Sequence, residues 1–203
     1  PKPGWSRYDF AGALAEGLSV PVAVETDVNA AALAEAQARD EAGSLAYMTV
    51  GTGIGVGLVI DGRCVHGAAH PEMGHYYPRR PADDVEFAGV CPFHGDCLEG
   101  LASGPAISAR WGATLSDLPP THPAHHRVAG YLAQACHTLF ASTSVETVVL
   151  GGGVLETPNL RERIAARTRE LDAGYLPGGT RHTIVAPRLG SRSGIIGAMI
   201  LAP

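Results

Sequence analysis

The sequence predicts an α/β fold in which helices cover a mixed sheet. From residue 45 onward, hydrophobic periodicity gives the element order β-β-β-α-β-α-β-α, in which an antiparallel start is followed by βα crossovers. Of the 203 residues, 45% are apolar, which is enough for a sizeable core. The 26 glycines and 15 prolines fall at turns between apolar runs and show no fixed period. Disordered and collagen-like chains are therefore excluded.

The first part of the chain predicts two helices separated by a short buried strand. Residues 8–18 carry apolar side chains at every fourth position, which is typical of an amphipathic helix. Residues 22–24 predict the strand, just after Pro21. Residues 28–39 are rich in Ala, Leu, Glu and Gln, which favour a helix.

The remaining elements follow from changes of period and from turn residues. Strands are predicted at residues 45–50, 54–60 and 63–66, with Asp61-Gly62 as a two-residue hairpin turn between the second and third. Residues 67–97 are predicted to be irregular. Residues 98–110 are predicted to hold the start of a helix. Later elements are helices at 125–142, 160–171 and 194–201, and strands at 145–150 and 183–186.

Net charge, hydropathy and cysteine content indicate which partners and which compartment to expect. The net charge is −5 and the basic residues are scattered, so we expect no nucleic-acid partner and no anionic membrane surface. No stretch approaches the ~18 uninterrupted apolar residues of a membrane span. Only two of the four cysteines are close together, which favours a reduced cytoplasm over a disulfide framework.

The strongest candidate site is a cluster of thiols and imidazoles in the irregular region. His75, Cys91, His94 and Cys97 follow the spacing H-x15-C-x2-H-x2-C. These are the ligands that tetrahedral zinc prefers, and four of them close the shell, so the metal would be structural. The alternative is two buried cysteines and two surface histidines. Cys64 and Cys136 lack such neighbours and are predicted to be inert core residues.

Two glycine-rich segments could lie against a phosphate or a nucleoside. Gly51-Thr52-Gly53-Ile54-Gly55 lies between two predicted strands, and taken alone it fits a plain hairpin turn better than an anion site. Gly151-Gly152-Gly153 follows a buried strand and precedes a helix. It fits a phosphate or adenosine site and an ordinary strand-to-helix turn equally well.

Three carboxylates are candidates for catalysis or sugar binding. Asp27 lies between the predicted strand at 22–24 and the helix that follows, where a general base could reach a cleft, although the local pattern favours a helix N-cap. Glu72 and Glu99 flank the cysteine and histidine cluster and could hold sugar hydroxyls; otherwise they are exposed surface residues.

These segments, taken in order, resemble the ROK family of sugar kinases. Val24 to Ala32 is similar to the family's catalytic segment, Thr49 to Gly55 to its second phosphate segment, and Leu150 to Val154 to its adenosine segment. His70-Pro-Glu-Met-Gly-His75 and Cys91-Pro-Phe-His-Gly-Asp-Cys-Leu-Glu-Gly100 are similar to its sugar and zinc region. The His at position 94 resembles the fructokinase branch, since glucokinase-like branches usually carry a third Cys there.

The resemblance implies an actin-like ATPase (ribonuclease H-like) fold and a role for each motif. Asp27 would be the general base, while Glu72, His75 and Glu99 would hold the sugar. The nucleotide would lie against two glycine segments, with its phosphates at Gly51, Thr52 and Gly53 and its adenosine at Gly151, Gly152 and Gly153. His75, Cys91, His94 and Cys97 would bind structural Zn²⁺, and ATP would be used with Mg²⁺.

The resemblance also implies a domain division. Residues 1–43 would hold the end of an N-terminal lobe with the catalytic strand and helix, and residues 44–203 the C-terminal lobe with the zinc loop at 67–100. The family's N-terminal Asp-x-Gly-Gly-Thr phosphate segment does not occur in the sequence. We therefore expect the chain to be a C-terminal portion, and residues 1–203 alone to be inactive.

The expected function is ATP-dependent phosphorylation of a hexose in a cytoplasmic homodimer. Fructose, giving fructose 6-phosphate, is the first expectation for the substrate, and glucose or mannose is the alternative. Thr26 replaces the Asn that precedes the catalytic Asp in many relatives, which argues against transferring glucose specificity. A sugar-sensing transcriptional repressor of the same family and an inactive zinc-stabilised remnant are the rival interpretations.

Overall fold

The structure is a computed structural model and describes residues 8–39 and 43–202. Its helices are α1 Phe10–Leu18, α2 Asp27–Ala38, α3 Leu98–Ala102, α4 Gly104–Trp111, α5 Pro123–Thr143, α6 Leu160–Asp172 and α7 Ser193–Leu201. Its strands are β1 Leu45–Val50, β2 Ile54–Ile60, β3 Arg63–Cys64, β4 Thr147–Gly151 and β5 Thr183–Val185. Within the predicted segment 1–43, residues 1–7 and 40–42 lie outside the described residues.

Five strands of the described chain form one mixed sheet in the order β3-β2-β1-β4-β5. The pairs β1–β2 and β2–β3 are antiparallel, whereas β1–β4 and β4–β5 are parallel. Asp61 and Gly62 have φ values of 49° and 73°, the positive pair that a two-residue hairpin turn prefers. The predicted mixed sheet and its hairpin are therefore confirmed.

The sheet carries helices on both faces. Alternate residues of β1 point to opposite sides, so Met48 and Val50 join a large apolar cluster with Leu132 of α5 and Ile164 of α6. On the other face, Tyr47 belongs to a smaller cluster built mainly with alanines of α2. Burial of both faces explains why every residue of β4 is buried.

Helix α2 is held closely between the sheet and α7. A Cβ added at Gly57 of β2 would lie 2.0 Å from the carbonyl oxygen of Val28, and one at Gly197 of α7 would lie 1.9 Å from that of Ala30. Only glycine allows backbones to approach this closely. The position of α2 is therefore fixed by backbone contact on two sides.

One prediction about local structure is wrong. Residues 22–24 form no strand, because no described strand lies beside them to accept and donate backbone hydrogen bonds, and Val24 is 64% exposed. The helix start predicted within 98–110 is confirmed, and the structure resolves two helices there, α3 and α4, which meet at Ser103. Pro105 lies in the first turn of α4, and the Ser103 hydroxyl caps that helix by accepting from Ala106 N at 3.4 Å.

The predicted third strand, 63–66, is shorter in the structure and ends at Cys64. Within residues 8–39 and 43–202, no helix combines the length and the apolar character needed to cross a membrane.

Candidate active site and metal centre

Four side chains of the loop at 67–100, called the zinc loop, converge on one point. The candidate ligand atoms of His75, Cys91, His94 and Cys97 all lie within 4.8 Å of one another. Cys91 Sγ is 3.7 Å from His75 Nδ1 and 3.8 Å from His94 Nδ1, and Cys97 Sγ is 3.5 Å from His75 Nδ1. Zinc bonds of about 2.3 Å to sulfur and about 2.0 Å to nitrogen place tetrahedral ligands about 3.5 Å apart. The donor set and its spacing fit zinc.

The backbone around the cluster explains why these residues meet. Cys91 and Gly95 exchange two hydrogen bonds of 3.2 and 2.9 Å, which close a tight turn and bring His94 back towards Cys91. Cys97 occupies the N-cap position of α3. A Cβ at Gly100 would lie 1.8 Å from Gly95 O, so α3 packs directly against that turn. Three of the four ligands are thus placed by one short turn and the helix beside it.

The Cys97 thiol of the zinc loop is protonated at neutral pH when no metal is bound. Burial, reinforced by Cys91, raises the pKa of Cys97 to about 11, so the thiol is protonated at neutral pH. A zinc ion would displace that proton, since only the thiolate is a ligand. Cys136, in contrast, is buried in α5 with its pKa raised to about 12 by burial, as expected of an inert core residue.

Glu99 joins the zinc loop to the turn between β1 and β2. Its Oε2 accepts a hydrogen bond from Ile54 N at 2.9 Å, and a Cβ at Gly53 would lie 2.7 Å from that same oxygen. The zinc loop makes a second contact with β2 at Gly74, where an added Cβ would lie 1.8 Å from Ile54 O. The structure therefore brings the sugar and phosphate candidates, Glu99 and Gly51–Gly53, into direct contact.

Glu72 lies apart from this contact. Its side chain is 64% exposed, and its Oε1 is 2.9 Å from His70 Nε2. Among the described residues, no hydrogen bond joins its carboxylate to His75 or Glu99. Glu72 is thus exposed and paired with His70, and its place in a sugar site stays a prediction.

Asp27 is the first residue of α2 and is not its cap. Thr26 caps the helix, its Oγ1 accepting from Asn29 N at 3.2 Å, so the predicted N-cap role of Asp27 is wrong. Asp27 Oδ1 accepts from Val28 N at 2.9 Å, and the carboxylate is exposed. One oxygen is therefore held by the backbone while the other remains open to solvent, as a general base needs.

Glu25 supports this helix start and was not predicted from the sequence. Its Oε1 accepts from Thr26 N at 2.8 Å and Asn29 Nδ2 at 3.0 Å, and its Oε2 lies 2.6 Å from His66 Nε2. Burial raises the pKa of Glu25, but these hydrogen bonds outweigh it, so the net pKa is lowered. Glu25 therefore stays ionised and fixes the turn that presents Asp27.

The two glycine segments share one cavity, which we call the nucleotide cavity. It has a volume of about 480 Å³, and Gly51, Thr52 and Gly153 are among the residues that line it. The start of α4 forms a third wall, and Gly104 N donates to Gly51 O at 2.8 Å. The two segments that the sequence marks for phosphate and adenosine therefore meet at this cavity, the second one through Gly153.

A buried ionic network also holds the zinc loop and was not predicted. Asp84 is buried, and its carboxylate accepts from Arg110 of α4 and Tyr131 of α5. Arg80 donates to the Asp84 carbonyl and, at 2.9 Å, to the Asp96 carboxylate. Nothing in the local sequence around Asp84 signals a buried residue, because its partners lie on distant helices.

Comparison with known proteins identifies a family and several relatives of this chain. The sequence model of the ROK family matches residues 1–203. The chain is 43% identical to a putative fructokinase of Bacillus subtilis and 44% identical to a fructokinase of Zymomonas mobilis. It aligns over its whole length with 70% and 69% of those proteins. Among solved structures, a ROK hexokinase from Thermus thermophilus aligns with a TM-score of 0.77 at 30% identity, covering 95% of this chain and 68% of that one.

Proposed function

The chain belongs to the ROK family and has its actin-like ATPase fold, and from that premise we propose that it is a kinase that phosphorylates fructose with ATP. That it is a sugar kinase of this family rests on the fructokinase and hexokinase relatives. The choice of fructose and the roles of individual residues are our proposal. The product would be fructose 6-phosphate, with ADP released.

The contact made by Glu99 is the observation that carries this proposal. A hexose kinase must hold a sugar hydroxyl beside the terminal phosphate of ATP, because phosphoryl transfer needs near in-line contact of the two. Glu99 follows the metal ligand Cys97 by two residues and accepts from the backbone of the turn at Gly51–Gly53. Its second oxygen would bind sugar while the turn binds phosphate.

Asp27 would act as the base in this reaction. Its free carboxylate oxygen would take the proton from the attacking hydroxyl, which strengthens the nucleophile as the bond to phosphorus forms. Backbone N–H groups at Gly51–Gly53 would donate to phosphate oxygens and offset their charge. Mg²⁺ bound to ATP supplies further charge neutralisation, and we assign no residue here as its ligand.

The metal centre would position the sugar without taking part in chemistry. With four protein ligands the zinc shell is closed and holds no water to activate. One nitrogen of His75, Nδ1, faces the metal cluster, which leaves Nε2 for a sugar hydroxyl. Metal binding therefore fixes both the tautomer and the direction of the second ring nitrogen.

The remaining assignments are proposed with this function. The lobes would divide at residues 43 and 44, and the protein would work as a cytoplasmic homodimer. Its partners would be sugar and ATP, with neither nucleic acid nor membrane.

Fructose is expected to have at least about a tenfold higher kcat/KM than glucose in the full-length protein, with mannose as a possible second substrate. His94 and Thr26 are the residues that motivate this preference. Initial rates of ADP release with each hexose give the ratio. Replacing Thr26 with asparagine should move the ratio towards glucose, whereas Thr26→Ser, which keeps a capping hydroxyl, should not. An equal or higher kcat/KM for glucose in the unmodified protein would overturn the assignment.

A further inference from the structure

Glu35 is a fully buried carboxylate to which the proposed reaction gives no role. It lies in the middle of α2 and is 0% exposed. Its Oε1 accepts from Leu189 N at 3.0 Å and Ser193 Oγ at 2.7 Å, and its Oε2 accepts from Arg188 N at 2.9 Å and Arg39 Nη2 at 3.1 Å. Burial of a charged group is costly unless it is paired and hydrogen-bonded, and here both oxygens are fully used.

Three of these donors come from a single segment far along the chain. Residues 186–194, called the α7 approach segment, run from the end of β5 into α7. Together with Tyr47 of β1 and Gly151–Gly153, this segment lines a second cavity of about 540 Å³. Gly153 also lines the nucleotide cavity, so the turn at Gly151–Gly153, called the glycine turn, borders both cavities. Glu35 therefore fixes the α7 approach segment, which forms one wall of the cavity that the glycine turn also lines.

Tyr47 carries the contact from this segment to the glycine turn. A Cβ at Gly151 would lie 2.3 Å from the Tyr47 hydroxyl oxygen, so the ring presses directly on the backbone of the turn. Burial raises the pKa of Tyr47, the charge of Glu35 raises it further, and the neighbouring Ser193 hydroxyl opposes the shift. The hydroxyl is thus neutral and lies close to both Ser193 and Gly151.

The helix that carries Glu35 is also the one that presents Asp27. The two residues are about two turns apart on α2, a separation of about 12 Å along the axis. Because α2 packs by backbone contact against both β2 and α7, Glu35 and Asp27 are held on one closely packed helix.

We propose that Glu35 is a positioning residue that fixes the glycine turn and Asp27 relative to each other. This inference rests on the proposed function. Glu35 contacts neither substrate; it acts through the α7 approach segment and Tyr47 on the nucleotide side, and through α2 on the base. The sugar ligands Glu72, His75 and Glu99 lie on other elements, so the nucleotide and the sugar should respond differently when Glu35 is altered.

The test compares Glu35→Gln with Glu170→Gln in the full-length protein. Glutamine keeps the shape of the side chain but turns an amide N–H₂ towards hydrogen-bond donors. We expect the KM for ATP to rise about tenfold and kcat to fall about tenfold, with the KM for sugar changed less than twofold. Glu170 pairs with Arg167 on the surface of α6, 62% exposed, so the control should leave all three values unchanged.

A purely structural role for Glu35 gives a different pattern. It would lower melting temperature and active fraction, with both KM values unchanged in the folded fraction, and that result would overturn the inference. An equal rise in both KM values would also overturn it. If Glu35→Gln does not fold, Ser193→Ala removes one donor only and should give a smaller rise in the KM for ATP alone; no rise would contradict the inference.

A measurement of nucleotide affinity distinguishes failure of this inference from failure of the proposed function. The dissociation constant of a non-hydrolysable ATP analogue, measured by calorimetry, needs no turnover. We expect it to rise about tenfold in Glu35→Gln while zinc content stays the same. Absence of sugar phosphorylation by the unmodified protein would reject the proposed function. Unchanged analogue affinity in Glu35→Gln would reject the positioning role.

Discussion

Replacing Asp27 with asparagine should lower kcat for sugar phosphorylation by about 10²–10⁴-fold in the full-length protein. The amide oxygen can still accept from Val28 N, as the carboxylate does at 2.9 Å, so α2 should begin at the same place. What the variant loses is the ability to take a proton from the sugar hydroxyl. The KM values for sugar and ATP should therefore stay within about threefold of the unmodified protein.

Asp61→Asn is the matched control for this substitution. Asp61 occupies the hairpin turn between β2 and β3 with a φ of 49°, a conformation that asparagine adopts readily. It makes the same change of charge away from the proposed site and should keep full activity. A kcat for Asp27→Asn within a few-fold of the unmodified protein would remove Asp27 from the mechanism.

Loss of the metal centre should be the second large effect. Elemental analysis of protein purified without chelators should find one zinc per chain, and Cys97→Ser should abolish it, because the shell then lacks one of its two thiolates. Removal of the metal releases His75, so the KM for sugar should rise about 10–100-fold. The KM for ATP should change far less, since the nucleotide cavity contains none of the four ligands.

Cys64→Ser provides the control for the cysteine substitution. Its thiol lies 3.6 Å from the carbonyl oxygen of Asn29 and does not belong to the metal cluster. Zinc content and sugar KM should stay unchanged in this variant. A folded, unmodified protein with a metal content near zero would reject the zinc assignment.

The sequence predicts correctly those parts of the fold that are determined by residues close together in the chain. The apolar runs and the glycine turn within residues 45–60 set the ends of β1 and β2, and both strands begin and end where predicted. The four metal-ligand candidates were chosen by residue type and spacing, and the structure brings them together. In each case the determining contacts are made within a short stretch of chain.

The features that could not be predicted depend on contacts between residues far apart in the chain. Glu35 bonds Arg188, 153 residues away, and Asp84 bonds Tyr131, 47 residues away. Neither carboxylate differs locally from a surface residue, because its burial depends on which helices pack around it. The strand predicted at residues 22–24 fails for the same reason: apolar side chains suggest a strand, but a strand also needs a neighbour.

The most direct test of a hexose kinase is the identity of the product. The full-length protein, incubated with fructose, ATP and Mg²⁺, should be followed by phosphorus NMR. The account predicts a phosphomonoester on the 6-hydroxyl of fructose that appears in equal amount to ADP, without a matching rise in inorganic phosphate. Binding of fructose without any phosphate ester would instead indicate a sugar sensor. Release of inorganic phosphate alone would show that water, not sugar, is the acceptor, and either result would contradict the proposed function.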